Sequence, residues 1–311
     1  ARWSCCASPS TRRCARLRDA VLPPSVEPTA DPRYLAKQAR LIVLAVISTD
    51  VRERARQLGD VIDGSHIVIH AVGALAAPND ERVADVVSAG TPTQMIGAMA
   101  GPALPSDMIA GRYASVVVAS HFTQVVSEAR RLLNAQAALR VYGSNDLIGV
   151  ELASAIAGSY AIALGMVDAI GLGAVPRAVL ITRAVAEGAR LGTAVGAEAK
   201  SFAGLAGLGN LLVRGAAGNQ DASVDYALGW QLAGRRAGAS ATGQRAPSSD
   251  PGASANASGS EGARAALALG RMAARLRVRM PILDAVAAVV AGTLTVERAA
   301  AGIADSVAES E

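Results

Sequence analysis

Residues 39–72 read ARLIVLAVISTDVRERARQLGDVIDGSHIVIHAV, and this stretch decides the fold class. ARLIVLAV (39–46) is a short, β-branched apolar run, DVRERARQLGDVI (50–62) is polar and amphipathic, and HIVIHAV (66–72) is a second apolar run. Strand, helix, strand in that order is the pattern of a parallel βαβ unit, because two parallel strands need a crossover long enough to bring the chain back to the same end of the sheet. Working outward toward the C-terminus, TQMIGAMAG (93–101) and ASVVVAS (114–120) predict further strands. Ser120 is expected to cap a helix whose Val125, Ala129, Leu132 and Leu133 fall on one face. ALRVYGSNDL (138–147) predicts a strand and a turn, so a doubly wound parallel arrangement spans about 39–143.

Beyond it the texture is helical, over 148–169, 177–197 and 202–213. The longest apolar run, Leu152 to Val167, is too short for a bilayer and is flanked by Glu151 and Asp168, which predicts a buried helix and no membrane anchor. Residues 234–260 are Gly, Ala, Ser, Pro and Arg with almost no large apolar side chain, and are expected to form a mobile loop. Helices resume near Gly262, with Pro281 in the first turn of one and Thr295 capping the last, where Val296, Ala300, Ile303 and Val307 share a face. Residues 1–38 contain no glycine, show no helical or strand period and read as an unstructured lead-in. The division expected is therefore a lead-in (1–38), an α/β domain (39–146) and a helical domain (147–311).

Composition narrows the function. Hydrophobic residues make up 51% and charged residues 18% of 311, enough to bury two cores, and aromatics only 3%, so those cores rest on Ala, Val, Leu and Ile. The net charge of +4 comes largely from arginines crowded near the start, without the interleaved aromatics of a nucleic-acid surface, so no nucleic-acid partner is expected. Cys5, Cys6 and Cys14 lack partners at ligand or disulfide spacing, which points away from metal and toward a reducing cytoplasm. The Arg- and Ser-rich start has prolines, no apolar face and no initial Met, unlike an organelle transit peptide. His66, His70 and His121 lie on separate elements and are expected to be packed or surface residues. Glu151 and Asp168 are expected to cap or pair at helix ends, and Arg183 and Glu187, at i,i+4, to form a surface or interhelix pair. Asn256-Ala257-Ser258 matches a glycosylation acceptor by chance in such a chain.

Several strings, in order, resemble the bacterial NAD(P)-dependent glycerol-3-phosphate dehydrogenases: VLAV (43–46), GP (101–102), SVVVAS (115–120), RVYGSNDLIGVEL (140–152), RAVLITRAVAEGARLG (177–192), FAGLAGLGNLL (202–212) and EGARAALALGRMAARLRVRMPILDAV (261–286). The resemblance implies a partial Rossmann-like parallel sheet followed by that family's helical domain, with NAD(P) on the first and hydride transfer between glycerol 3-phosphate and dihydroxyacetone phosphate at their junction. Its similarity begins at the family's fourth strand, so the Gly-rich turn that seats pyrophosphate on a helix N-terminus has no counterpart in the lead-in, and NAD(P) is implied only if that site is completed. An open sheet edge is expected where the first strand would pair. Ser48, Gly101 and Glu261 match cofactor-side positions.

The catalytic positions implied by the resemblance depart from its pattern. The family's lysine and asparagine after GVEL fall on Ala157 and Gly158, a second lysine falls on Val72, and the aspartate of its Gly-x-Gly-Asp turn falls on Asn210. A threonine four positions further on becomes Arg214. The Arg-Asn phosphate clamp falls on Asp221 and Ala222, with the register open by a residue or two and Arg235 and Arg236 as stand-ins. Losing one oxyanion-type donor alone costs about 10²–10³-fold in rate. The expectation is a family homologue without detectable glycerol-3-phosphate oxidation, possessing no intact catalytic set. Two alternatives stay open: an NAD(P)-dependent glycerol-3-phosphate dehydrogenase supplying glycerophospholipid precursors, with a mis-stated N-terminus, or a protein-binding scaffold. A homodimer is a further expected partner state.

Overall fold

Asp31 and Pro32 start the first helix of the computed structural model, which describes residues 24–134, 138–217, 223–234 and 259–301. Helix α1 (Pro32–Gln38) has Pro at its N-terminus, and the Asp31 side chain accepts the Arg33 N–H at 2.9 Å. Part of the supposed lead-in is therefore ordered helix. Its start signal, an acidic N-cap before proline, is local and lies within DPRYL, although seven residues are too few to show a period.

The α/β portion then runs β1 (Leu41–Leu44), α2 (Val51–Gly59), β2 (Ile67–His70), α3 (Val83–Gly90), β3 (Ile96–Ala100), α4 (Pro105–Ile109), β4 (Ala114–Ala119), α5 (Thr123–Leu133) and β5 (Leu139–Ser144). The five strands lie in sequence order. Pairs β1–β2, β2–β3 and β4–β5 are parallel, whereas β3–β4 is antiparallel. The sheet is thus mainly parallel, as expected, with one reversal at β4. The connection from β3 to β4, residues 101–113, holds only the five-residue α4 and is shorter than those between the parallel pairs. Among the described residues β1 pairs with β2 alone, so it forms an edge.

Helix α5 buries Val125, Ala129 and Leu133, while Leu132 is exposed. Ser120 does not cap it: the Ser120 Oγ donates to the Ile96 carbonyl at 2.6 Å and accepts from the Phe122 N–H, tying β4 to β3 instead.

The second portion is built around α6 (Leu147–Ala169), whose side chains are buried from Gly149 to Val167. It is long and apolar enough to cross a membrane, yet 94% of its most apolar stretch is buried against protein, the environment of a core helix. Asp146 starts it, accepting from the Gly149 N–H at 2.8 Å and also from the Glu198 N–H and the Ser201 hydroxyl. Around it pack α7 (Ala174–Ala194), α8 (Ala199–Ala203), a π-helical turn (Leu205–Gly209), α9 (Asn210–Arg214), α10 (Val224–Gly234), α11 (Glu261–Leu276) and α12 (Pro281–Val290). Pro281 occupies the first turn of α12 as expected, and the Thr295 hydroxyl accepts the Arg298 N–H at 3.4 Å; Ile303 and Val307 lie outside the described residues.

Small residues let two helices approach α6 closely. A methyl at Gly165 would meet the Tyr226 carbonyl oxygen at 2.2 Å, and one at Gly229 the Ile162 carbonyl oxygen at 2.1 Å, so α6 and α10 cross backbone to backbone. Gly158 and Gly262 do the same for α6 and α11, where a methyl at Gly262 would lie 2.5 Å from the Gly158 carbonyl oxygen. These crossings bring the ends of α9, α10 and α11 to the C-terminal edge of the sheet.

Candidate active-site cleft

The cleft lies where β2 ends and α6 passes. Beyond His70 the chain continues through Val72 and Gly73, and Gly73 faces Ser154 of α6 and Arg214 of α9: a methyl at Gly73 would lie 4.0 Å from the Ser154 Oγ and 3.7 Å from the Arg214 Nη2. On the helical side, a methyl at Gly158 would be 3.6 Å from the Arg214 Nη1 and 3.2 Å from the Asp225 Oδ2. Arg214 thus reaches the space that a longer side chain at 73 would occupy, while at 158 the position is closed by Gly262 and Asp225.

Its guanidinium is held from two sides. The Nε donates to the Asn210 Oδ1 at 3.1 Å and the Nη1 to the Asp225 Oδ2 at 2.8 Å. Asp225 is buried and uses its other oxygen to accept from the Ser260 hydroxyl at 2.7 Å and the Gly262 N–H at 3.0 Å. A carboxylate beside the first turn of α11 is favoured by the unpaired N–H groups there. Asp225 is therefore fully engaged, and Arg214 is oriented.

The positions named from the sequence separate into two groups. Val72 and Ala157 are buried among apolar neighbours: Val72 belongs to the main core, and Ala157 lines a small apolar recess with Ile156, Phe202 and Leu211. Neither offers a charge to the cleft. Gly158 and Asn210 do lie beside Arg214, the first in close packing against Gly262 and Asp225 and the second through its amide oxygen. Asp221, Ala222, Arg235, Arg236, the 235–258 part of the expected loop and Asn256-Ala257-Ser258 lie outside the described residues. Among the described residues the aspartate beside Arg214 is Asp225, four positions beyond Asp221. A signal for it existed: an added positive charge at 214 and an added negative charge in the clamp segment are complementary, and together they predict a pair.

Ser48 and Glu261 meet at the end of β1. The Ser48 N–H donates to the Glu261 Oε1 at 3.0 Å, and Arg264, ion-paired to Glu261, donates through its Nε to the Ser48 Oγ at 3.0 Å. The other carboxylate oxygen of Glu261 is buried with no hydrogen-bond partner, an orphan acceptor of the sort that a ligand donor can satisfy. Gly101 is not part of this group. It ends β3 with φ of 146°, and a methyl there would meet the Ser115 carbonyl oxygen at 2.7 Å, so its backbone role is set by strand packing. The following Pro102 packs near Gly209 of the π-helical turn.

The histidines form no site. His66 is buried between the Asp63 carboxylate and the Ala36 carbonyl, at 3.0 and 3.1 Å, and His121 is exposed. His70 is buried with its Nε2 3.1 Å from the Glu151 Oε1, an ion-pair distance without hydrogen-bond alignment, and its Nδ1 unpartnered. Glu151 also accepts from the Ala84 N–H, a first-turn donor of α3, at 2.9 Å and lies 3.4 Å from Arg82, the N-cap of α3, so it caps and pairs at a helix end as expected while tying α6 to α3. Asp168 accepts from the Tyr226 hydroxyl at 2.5 Å and pairs with Arg177.

An open α/β sheet presenting its strand ends to an all-helical bundle, with a polar cleft at the junction, is the plan of a two-domain dehydrogenase. A crystal structure of glycerol-3-phosphate dehydrogenase from Coxiella burnetii has the same fold, with a TM-score of 0.79 and 24% identity over 95% of this chain and 86% of that one. The sequence families described as NAD-dependent glycerol-3-phosphate dehydrogenase N-terminus and C-terminus match residues 10–126 and 146–301. The glycerol-3-phosphate dehydrogenases [NAD(P)+] of Dechloromonas aromatica and Halorhodospira halophila are each 34% identical, over 89% and 91% of this chain and 80% of their own lengths. That of Desulfitobacterium hafniense is 36% identical over 62% of this chain and 54% of its own length. The chain belongs to the NAD-dependent glycerol-3-phosphate dehydrogenase family.

Proposed function

We propose that this chain is an NAD(P)-linked oxidoreductase interconverting glycerol 3-phosphate and dihydroxyacetone phosphate, a step that feeds glycerophospholipid synthesis. The observation that carries the reading is the cleft itself. Both halves of the family are matched, and the junction between them holds an oriented cation, Arg214, and an orphan acceptor, Glu261 Oε2. Ser48, Glu261 and Arg264 are the described residues that would face the cofactor, which supplies or accepts hydride when bound. Arg214 would hold negative charge on the substrate, and the close glycine packing of α6 against α11 would exclude water from the rear of the cleft.

A second reading, a family member that binds but does not turn over, is favoured by one observation. Val72 and Ala157 leave the cleft without a lysine, and an arginine is a poor proton donor to a developing alkoxide.

The test is the absorbance of NADH and NADPH mixed with dihydroxyacetone phosphate and the purified full chain, with folding checked by circular dichroism. Enzyme-dependent oxidation of the reduced cofactor is the expected result. A folded chain that binds cofactor and leaves it unoxidised would establish the second reading.

A further inference from the structure

We infer that Arg214 is the residue that holds the anionic group of the ligand in this cleft, the cation having moved from the β2 loop and α6 to α9. The inference rests on the dehydrogenase reading for the identity of the substrate, but not for the existence of the site.

The argument starts from donors. A guanidinium carries five N–H groups in a planar fork. Two of them are used, one on Asn210 and one on Asp225, leaving three without an acceptor among the described residues. The side chain is 31% exposed, so those three are reachable, whereas the Asp225 carboxylate that orients it is 5% exposed and already satisfied by Ser260 and Gly262. The Nη2 lies beside Gly73, where a methyl would sit 3.7 Å away in ordinary van der Waals contact, whereas on the Gly158 side the guanidinium abuts the close packing of α6 against α11. A fixed fork with unspent donors at a partly exposed position is a receptor for a planar or tetrahedral oxyanion, which it can bind through two parallel hydrogen bonds.

Charge balance refines the ligand. Arg214 and Asp225 together are neutral, so this pair discriminates by hydrogen-bond geometry more than by net attraction, and added salt should weaken binding less than it would at an uncompensated cation. A phosphate monoester and a small carboxylate share the needed oxygens, and titration separates them.

The experiment is isothermal titration of glycerol 3-phosphate, inorganic phosphate and lactate into the full chain and two variants. Arg214→Ala alone strands a buried carboxylate, so the decisive variant is the double Arg214→Met, Asp225→Asn, which removes the pair while keeping its bulk. Saturable binding of glycerol 3-phosphate to the parent chain, weakened at least about tenfold in the folded double variant, is the expected result, that being the loss of one charge-assisted hydrogen bond. Equal affinity in parent and double variant, or no binding of any of the three probes to the parent, would overturn it. Tighter binding of lactate than of either phosphate, lost in the same variant, would support Arg214 and fail the phosphate substrate. Turnover in the double variant at the parent KM would fail Arg214 while sparing the dehydrogenase reading; binding that depends on Arg214 without turnover would do the reverse.

Discussion

Glu187 shows what one side chain does when its surroundings are fixed by packing. It is buried at the crossing of α6, α7 and α12, where it accepts from the Tyr160 hydroxyl and from the Ile282 and Leu283 N–H groups at 3.0 and 3.2 Å. Those N–H groups are the unpaired donors of the first turn of α12, so Glu187 caps a helix it does not belong to. Burial pushes its carboxyl above the ordinary value of 4.5, partly offset by these bonds, and burial with the neighbouring carboxylate pushes the Tyr160 phenol well above 10. With the folded value above the unfolded one, the group's contribution to stability is fullest below pH 4.5 and declines as pH rises through the raised value. Glu187→Gln should abolish that decline and lower stability by about 1–3 kcal/mol at neutral pH, through loss of the paired acceptors; urea midpoints at several pH values would measure both. The i,i+4 spacing to Arg183 is visible in the sequence, yet it does not reveal that Glu187 turns inward. Asp63, by contrast, is fully solvent-facing and held down to about 2 by the Ser65 hydroxyl and N–H and by His66, so its contribution is present above pH 3.8 and lost as pH falls toward 2.

At the scale of elements, the crossings on α6 are the determinants. Gly165 and Gly229 each present a backbone carbonyl where a methyl would have to go, at 2.2 and 2.1 Å, so neither α6 nor α10 can accept a side chain there without separating. Gly229→Ala is expected to cost about 1–3 kcal/mol, measurable as a lower Tm, because overpacking forces the helices apart. An unchanged Tm would mean that the two helices do not cross in this register. Helix α6 itself was legible as a long apolar run with an acidic start, and its buried setting followed from its flanking charges. Helix α1 was missed because a seven-residue element shows its cap but no period. The reversal of β4 is not legible because alternating apolar runs look alike in either direction, and the connection over 101–113, though the shortest between strands, does not by its length fix their direction.

For the whole molecule, sheet and bundle are joined by polar ties across the cleft. Glu151 of α6 receives the Ala84 N–H, Arg82 and His70 from the sheet side, and Arg271 of α11 makes a bidentate pair with Asp80 at 2.6 and 2.7 Å. Glu151→Ala strands these groups and should lower stability by about 3 kcal/mol, the scale for breaking a buried charged cluster; sheet and bundle should still unfold together if the ties at Ser48 and Asp80 suffice. Two separate denaturant transitions in that variant would show that Glu151 is the main coupling.

Periodicity and motifs, written in neighbouring residues, suffice to read the five strands, the apolar identity of α6 and the family to which the strings from 43 to 286 belong, but not helices α1, α3 and α10. They also mark Val72, Ala157, Gly158 and Asn210 as departures from the family pattern. The fold itself sets the pairing of Arg214 with Asp225, the meeting of Glu261 with Ser48 and the packing of Gly101 against β4. Separation along the chain is the cause: the first two contacts join residues 11 and 213 apart, at helix crossings whose closeness depends on paired glycines and not on any local signal, whereas the Asn210–Arg214 bond, four residues apart, is a local one.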